Sequence, residues 1–248
     1  MKIAITGKGG VGKSTLSALL CREFAREGHA VLAVDADPDA NLASALGFPD
    51  AETIKPVSEL KDLIRERAGD GGGLVRLNPR VDDIPSTHSA VHDGVKLIVM
   101  GGITRAGSGC ACPANVFLKE LMRHILLGSG EIVVMDMEAG IEHLGRATAD
   151  SVDVLVAVAE PSAMSIGSAK KIARMAGEMG IRRIAAVANK TASEDESAAV
   201  ARELAPLEFL GALPFSRALR DAALRRGAAH GDPALAAAVS RIARLIAG

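Results

Sequence analysis

KIAITGKGGVGKST, residues 2–15, runs an apolar segment into a glycine-rich turn and then into a helical pattern. GKGGVGKS at residues 7–14 fits the spacing of a phosphate-binding loop, and its place between a strand and a helix is the context such a loop requires. Glycines let backbone N–H groups turn inward, so Gly9, Gly10, Val11, Gly12, Lys13, Ser14 and Thr15 form the expected cradle. Lys13 then reaches the β- and γ-phosphates, and the Ser14 hydroxyl ligates magnesium. The bland alternative is a tight glycine turn without a ligand.

Outward from this loop the same alternation continues. AVLAVD, KLIVMG, EIVVMD, VLVAVAE, RIAAVAN and LEFLGAL are near-continuously apolar, as strands buried on both faces should be. KSTLSALLCREFAREG, PANVFLKELMRHILLG and SIGSAKKIARMAGEMG lie between them with helical period. The expectation is an α/β fold in three layers, a mostly parallel twisted sheet of seven strands with helices on both faces. The stretch from Phe48 to His92 breaks the rhythm and reads as an elaboration of one domain spanning residues 1–248.

Composition limits the function classes. A formal net charge of −1 offers no general attraction to nucleic acid or anionic lipid. The start lacks the apolar run of a signal peptide, and no apolar stretch is long enough to span a bilayer. Three cysteines, Cys21, Cys110 and Cys112, are too few for a disulfide framework, so the expected setting is cytoplasmic with reduced thiols. Cys21, within a helical pattern, reads as a small core residue. The last segment, DPALAAAVSRIARLIAG, places Leu235, Val239, Ile242 and Ile246 on one face and reads as a helix closing the core rather than a membrane anchor.

Carboxylates fall where a phosphate-handling site needs them. VDADPDANL, residues 34–42, puts Asp35 and Asp37 at a strand's C-terminal end, the edge where α/β sheets hold ligands. DPDAN is equally a helix start, and both readings hold together. In IVVMDMEAGIEHL, residues 132–144, Asp136 ends a strand and can hold magnesium through water, while Gly140 can offer its N–H to a γ-phosphate. Glu138 is either a second acid near the nucleotide or a solvated side chain. GSGCACPANVF, residues 107–117, sets Cys110 and Cys112 one residue apart. Two thiolates fill half of a four-ligand shell for nickel or zinc, so two chains meeting at a twofold axis would complete one. Burial of the pair and redox switching are the competing uses.

Lys8 makes the loop more specific. Loops written KGGVGK[ST] resemble the deviant phosphate-binding loop of the ATPase family that includes MinD, plasmid-partition ATPases, the arsenite-pump ATPase and the nitrogenase iron protein. That resemblance implies a phosphate-loop NTPase fold in which Lys8 crosses a dimer interface to the partner's nucleotide. The alternative is a solvated lysine. The resemblance further implies that Asp37 orients the attacking water, that Asp35 supports the magnesium shell, and that Asn189 and Lys190 of VANKT, with Pro214 of ALPFS, lie at the adenine. An iron–sulfur cluster of the nitrogenase type is disfavoured, because DMEAGIEHL lacks the second cysteine that it needs.

KGGVGKS, DxDPD, the GDGG turn at residues 69–72, NPRVDD, CxC and VVMDMEAGIEHL together resemble the carbon monoxide dehydrogenase maturation ATPases of the CooC type, over residues 1 to about 215. This implies an ATP-driven homodimer that binds nickel, or zinc, through Cys110 and Cys112 and serves a nickel enzyme such as carbon monoxide dehydrogenase or acetyl-CoA synthase. Its cofactors would be ATP, ADP and magnesium, with neither nucleic acid nor membrane as partner. A spatial regulator cycling on membrane or DNA is the alternative.

Overall fold

Eight strands form one sheet in the computed structural model, which describes residues 1–70, 75–101, 112–128, 130–138, 149–224 and 232–248. The strands are β1 (Lys2–Gly7), β2 (Val31–Ala36), β3 (Ala90–His92), β4 (Val95–Val99), β5 (Ile132–Met137), β6 (Val154–Ala159), β7 (Ile184–Thr191) and β8 (Glu208–Pro214). Their order is β3-β4-β2-β5-β1-β6-β7-β8, and every neighbouring pair is parallel except β3 with β4.

Helices follow in chain order: α1 (Lys13–Arg26), α2 (Leu42–Leu46), α3 (Lys61–Ala68), α4 (Ile84–Thr87), α5 (Pro113–Leu127), α6 (Ala163–Glu178), α7 (Glu194–Leu204), α8 (Arg217–Leu224) and α9 (Pro233–Ala247). Successive strand residues point to opposite faces. Accordingly Ile3, Ile5, Val31 and Ala33 pack with Leu16, Phe24, Val239 and Ile242 of α1 and α9. Ala4, Leu32 and Val34 pack on the other side with Phe117, Leu121 and Ile172 of α5 and α6. A smaller cluster of Ala157, Ala159, Ala186 and Ala188 meets Ala169, Val200 and Leu204 of α6 and α7.

The sequence pattern underestimates the sheet by one strand. β3 is only three residues long and alternates in burial, so it lacks the apolar run that marks the other strands. Its hairpin to β4 turns through Asp93 and Gly94, both with positive φ, and Asp-Gly is a strong hairpin signal. The rest of the irregular stretch supplies α3, α4 and two short 3-10 turns, Ala51–Thr53 and Val57–Glu59.

β1 lies between β5 and β6, although both come much later in the chain. Strand order reverses around it, and ligands bind at the carboxyl edge of such a reversal. The glycine-rich turn after β1 therefore stands where the sheet leaves a crevice. Among the described residues no helix is long and apolar enough to cross a membrane.

Candidate phosphate-binding site

α1 begins directly beneath the loop, with Gly12 as its N-cap at φ 94°. Neither a capping side chain nor an acidic residue occupies its first turn. An uncapped helix start presents free N–H groups and a partial positive charge, which favours an anion. Gly12 is held to glycine twice over: a Cβ there would lie 2.1 Å from Asn189 Nδ2, and its φ is one that L side chains rarely adopt.

A cavity of about 380 Å³ opens over this turn, lined by Gly9, Gly10, Gly12, Lys13, Ser14 and Thr15 and, from other elements, by Asp37, Asp39, Asn41 and Glu138. Lys13 is 7% exposed, and its Nζ lies 3.6 Å from Asp37 Oδ2. The segment after β2 is braced by its own acids. Asp35 Oδ2 accepts from the Leu42 amide at 2.9 Å and Oδ1 from the Asp37 amide at 3.2 Å, while Asp37 Oδ1 accepts from the Asp39 amide at 3.1 Å.

Asp35 and Asp136 face each other in register across β2 and β5, both fully buried. Burial raises the Asp35 carboxyl to about 6, against the two amides that favour its ionised form. Burial also raises Asp136 to about 7; the Ser14 hydroxyl opposes the rise, the Asp35 charge adds to it and Lys13 opposes it. Ser17 Oγ approaches Asp136 Oδ1 at 3.4 Å. Asp136 Oδ2 has no hydrogen-bond partner among the described residues. A buried carboxylate oxygen left open beside a serine hydroxyl suits a hard cation. No group of three His, Cys, Asp or Glu side chains among the described residues could hold a metal unaided. Magnesium fits, because it commonly keeps several waters and takes its remaining oxygens from phosphate.

Asn189 and Lys190, expected at the base, both hydrogen-bond to the loop. Asn189 is 4% exposed; its Nδ2 donates to the Val11 carbonyl at 2.7 Å, and its Oδ1 accepts from the Lys190 amide at 2.9 Å. Lys190, at φ 61°, donates from Nζ to the Gly10 carbonyl at 2.7 Å and pairs with Glu160. The end of β7 thus holds two carbonyls of the loop, those of Gly10 and Val11. Pro214 stands beside this strand end, opposite Thr191.

Lys8 does not line the cavity; its Nζ contacts the Met164 sulfur at 2.9 Å, at the start of α6. Cys112 is exposed and is the N-cap of α5. Cys110 and Gly140 lie outside the described residues. Cys21 is buried, and burial pushes its thiol well above the usual range. Ser17 and Glu160 join the site without a motif to mark them. Ser17 is a polar residue on the buried face of α1, and Glu160 follows the apolar strand β6 at the same sheet edge as Asp136.

A family model for the CobQ/CobB/MinD/ParA nucleotide-binding domain matches residues 2–227. The chain belongs to that family. It is also 47% identical over 228 residues to the carbon monoxide dehydrogenase accessory protein CooC of Rhodospirillum rubrum, covering 90% of this chain and 86% of that one. An uncharacterised ATP-binding protein of Methanocaldococcus jannaschii is 42% identical over 221 residues, covering 87% and 85%. Among solved structures, a ParA family ATPase from Chlorobium tepidum superposes with a TM-score of 0.71 at 19% identity, covering 98% of this chain and 97% of the other. The septum site-determining protein MinD of Pyrococcus horikoshii, complexed with Mg-ADP, gives 0.70 at 20% identity, covering 98% and 94%. The solved structures establish the phosphate-loop fold; the CooC likeness places this member of the family among the CooC-type proteins.

Proposed function

We propose that this chain is a cytoplasmic, single-domain ATPase that dimerises with nucleotide, carries nickel on a site shared between two chains, and serves the maturation of a nickel enzyme. The observation that carries the reading is the likeness, over nine-tenths of the chain, to a protein named as an accessory of carbon monoxide dehydrogenase. The uncapped helix start, Lys13, Ser14 and the open oxygen of Asp136 support the nucleotide part.

In this reading Lys13 leaves Asp37 when phosphate arrives, and Asp37 is released to hold a water against the γ-phosphorus. The water oxygen attacks, and the bond to the bridging oxygen of ADP breaks. Magnesium, held by Ser14 directly and by Asp136 and Asp35 through water, would neutralise charge on the phosphate oxygens. Gly140 offers its amide to the γ-phosphate, and Lys8 swings from Met164 to the nucleotide of the partner subunit. Asn189, Lys190 and Pro214 border the adenine while holding the loop. Cys110 and Cys112 of each chain bind the cargo ion, so closure of the dimer and assembly of the metal site are linked equilibria.

Nickel titration of the apo protein, alone and with ADP or ATP, tests this, with molecular mass recorded on the same samples. One nickel per two chains is expected, appearing with the dimer and lost in Cys110→Ala/Cys112→Ala; zinc in competition shows which ion is preferred. Nickel binding indifferent to both cysteines would sink the metal reading and bring forward a spatial regulator of the MinD or ParA kind. Against that alternative, the apolar face of α9 is already buried in the core.

A further inference from the structure

The residues that lead from β6 into the first turn of α6, 160–165, touch the phosphate loop at two points. Met164 carries the Lys8 Nζ at 2.9 Å. Glu160 reaches the loop through an intermediary: its carboxylate pairs with Lys190 Nζ, and the same ammonium donates to the Gly10 carbonyl at 2.7 Å. The backbones of both partners are tied down. The Glu160 amide donates to Ser165 Oγ at 3.0 Å and its carbonyl accepts from the Ser162 amide at 2.7 Å, while the amide of buried Ser165 donates to Ser162 Oγ, the N-cap of α6. Lys190 holds φ 61°, a region unfavourable for a residue with a Cβ, and its amide donates to Asn189 Oδ1.

The two carbonyls gripped by Lys190 and Asn189, those of Gly10 and Val11, belong to adjacent peptide units. A trans peptide is planar with its C=O and N–H opposed, so a grip on each carbonyl sets the direction of the N–H that follows it, at Val11 and at Gly12. Gly10 at φ 82° and Gly12 at φ 94° carry no Cβ to restrict these planes. Asn189 is short and buried, so the strand end alone places its amide. Lys190 is long and its side chain is 44% exposed. An ammonium on a flexible four-carbon stem stays on one carbonyl only if a further partner confines it, and Glu160 is that partner.

We infer that Glu160 is a positioning residue for the phosphate loop: it confines the Lys190 ammonium to the Gly10 carbonyl and thereby sets the loop's amides for the phosphates. This role rests on the reading of the loop as a triphosphate site. Coulombic repulsion by itself predicts the opposite sign, because an acid near an anion site disfavours the anion and its removal should tighten binding. As a positioning group, Glu160 loosens phosphate binding when it is removed.

Tripolyphosphate, which has no base, separates an effect on the loop from one on the adenine. Calorimetric titration of magnesium ATP and of magnesium tripolyphosphate compares full-length wild type, Glu160→Ala, Lys190→Gly and the double variant. Glycine accepts the positive φ at position 190, so Lys190→Gly removes the ammonium without straining the backbone. Glu160→Ala is expected to weaken both ligands by about 5-fold, the upper range for an exposed ion pair, and Lys190→Gly by about 10-fold, the worth of a charged hydrogen bond. The double variant should match Lys190→Gly, since a group that acts through Lys190 has no effect in its absence. Tripolyphosphate binding in Glu160→Ala that equals or exceeds wild type would overturn the assignment, as would losses that add in the double variant. A loss for ATP alone would overturn it too and move the pair to the base. Wild type that binds neither ligand would overturn the nucleotide reading along with this role, a result distinct from a loss confined to the variants.

Discussion

Lys13 and Asp37 stand 3.6 Å apart, so a phosphate that engages Lys13 must draw it away from a carboxylate. Lys13→Ala should abolish nucleotide binding in a fluorescent-nucleotide titration. Asp37→Asn removes the competing charge and should retain ATP binding while turnover falls by about 100-fold or more, the usual worth of a positioned base; equal turnover in variant and wild type would remove Asp37 from the chemistry. Asp136 makes a different kind of case. Its buried, partly unpartnered carboxylate is a liability in the nucleotide-free protein, worth about 1–3 kcal/mol. Asp136→Asn should raise the melting temperature of that form while eliminating ATP hydrolysis, and a lower melting temperature would contradict the account. Asn189→Ala leaves the Val11 carbonyl without its amide donor and should weaken nucleotide binding through the loop, read as a lower ATP affinity.

Among the elements, α3 and α4 depend on one clamp. Arg67 on α3 meets Asp83, the N-cap of α4, through two N–H groups at 2.6 and 2.8 Å and also donates to the Arg80 carbonyl. The guanidinium holds the Asp83 carboxyl down at about 2, below its ordinary 3.8. A depressed carboxylate stabilises the fold fully above its unfolded value, and that contribution fades as pH falls from about 4 through about 2. The side chains are partly exposed, so the pair is worth about 1 kcal/mol. Urea unfolding should therefore find Arg67→Ala less stable than wild type by about that amount at pH 7, with the difference closing toward pH 2. A gap that persists there would assign it to lost packing of the arginine stem.

At the scale of the whole molecule, α9 closes the fold. Leu235, Val239, Ile242 and Ile246 are buried against the sheet and α1. Arg183, just before β7, donates to the Leu245 and Ile246 carbonyls while pairing with Glu208 at the start of β8, so the end of the helix is tied to the beginnings of these two strands. Ile242→Ala should cost about 2–5 kcal/mol, measured by denaturant unfolding. The wild-type protein should stay in the supernatant with liposomes and ATP; pelleting would show that α9 leaves the core for a membrane.

Apolar runs, glycine placement and charge position are local properties, so the chain alone determined the parallel α/β architecture, the phosphate loop, the helix starts at Lys13 and Pro113, and the acids at strand ends. β3 escaped because three residues with alternating burial carry too little signal beside the longer runs. Tertiary structure alone decided that Asn189 and Lys190 grip the loop's carbonyls, that Asp35 and Asp136 share one buried register, that Lys8 rests on Met164, and that Glu160 pairs with Lys190. Each of these joins residues far apart in the chain, with Val11 and Asn189 separated by 178 positions. Which distant partners meet depends on strand order and helix packing, and no local pattern of residues encodes that distance.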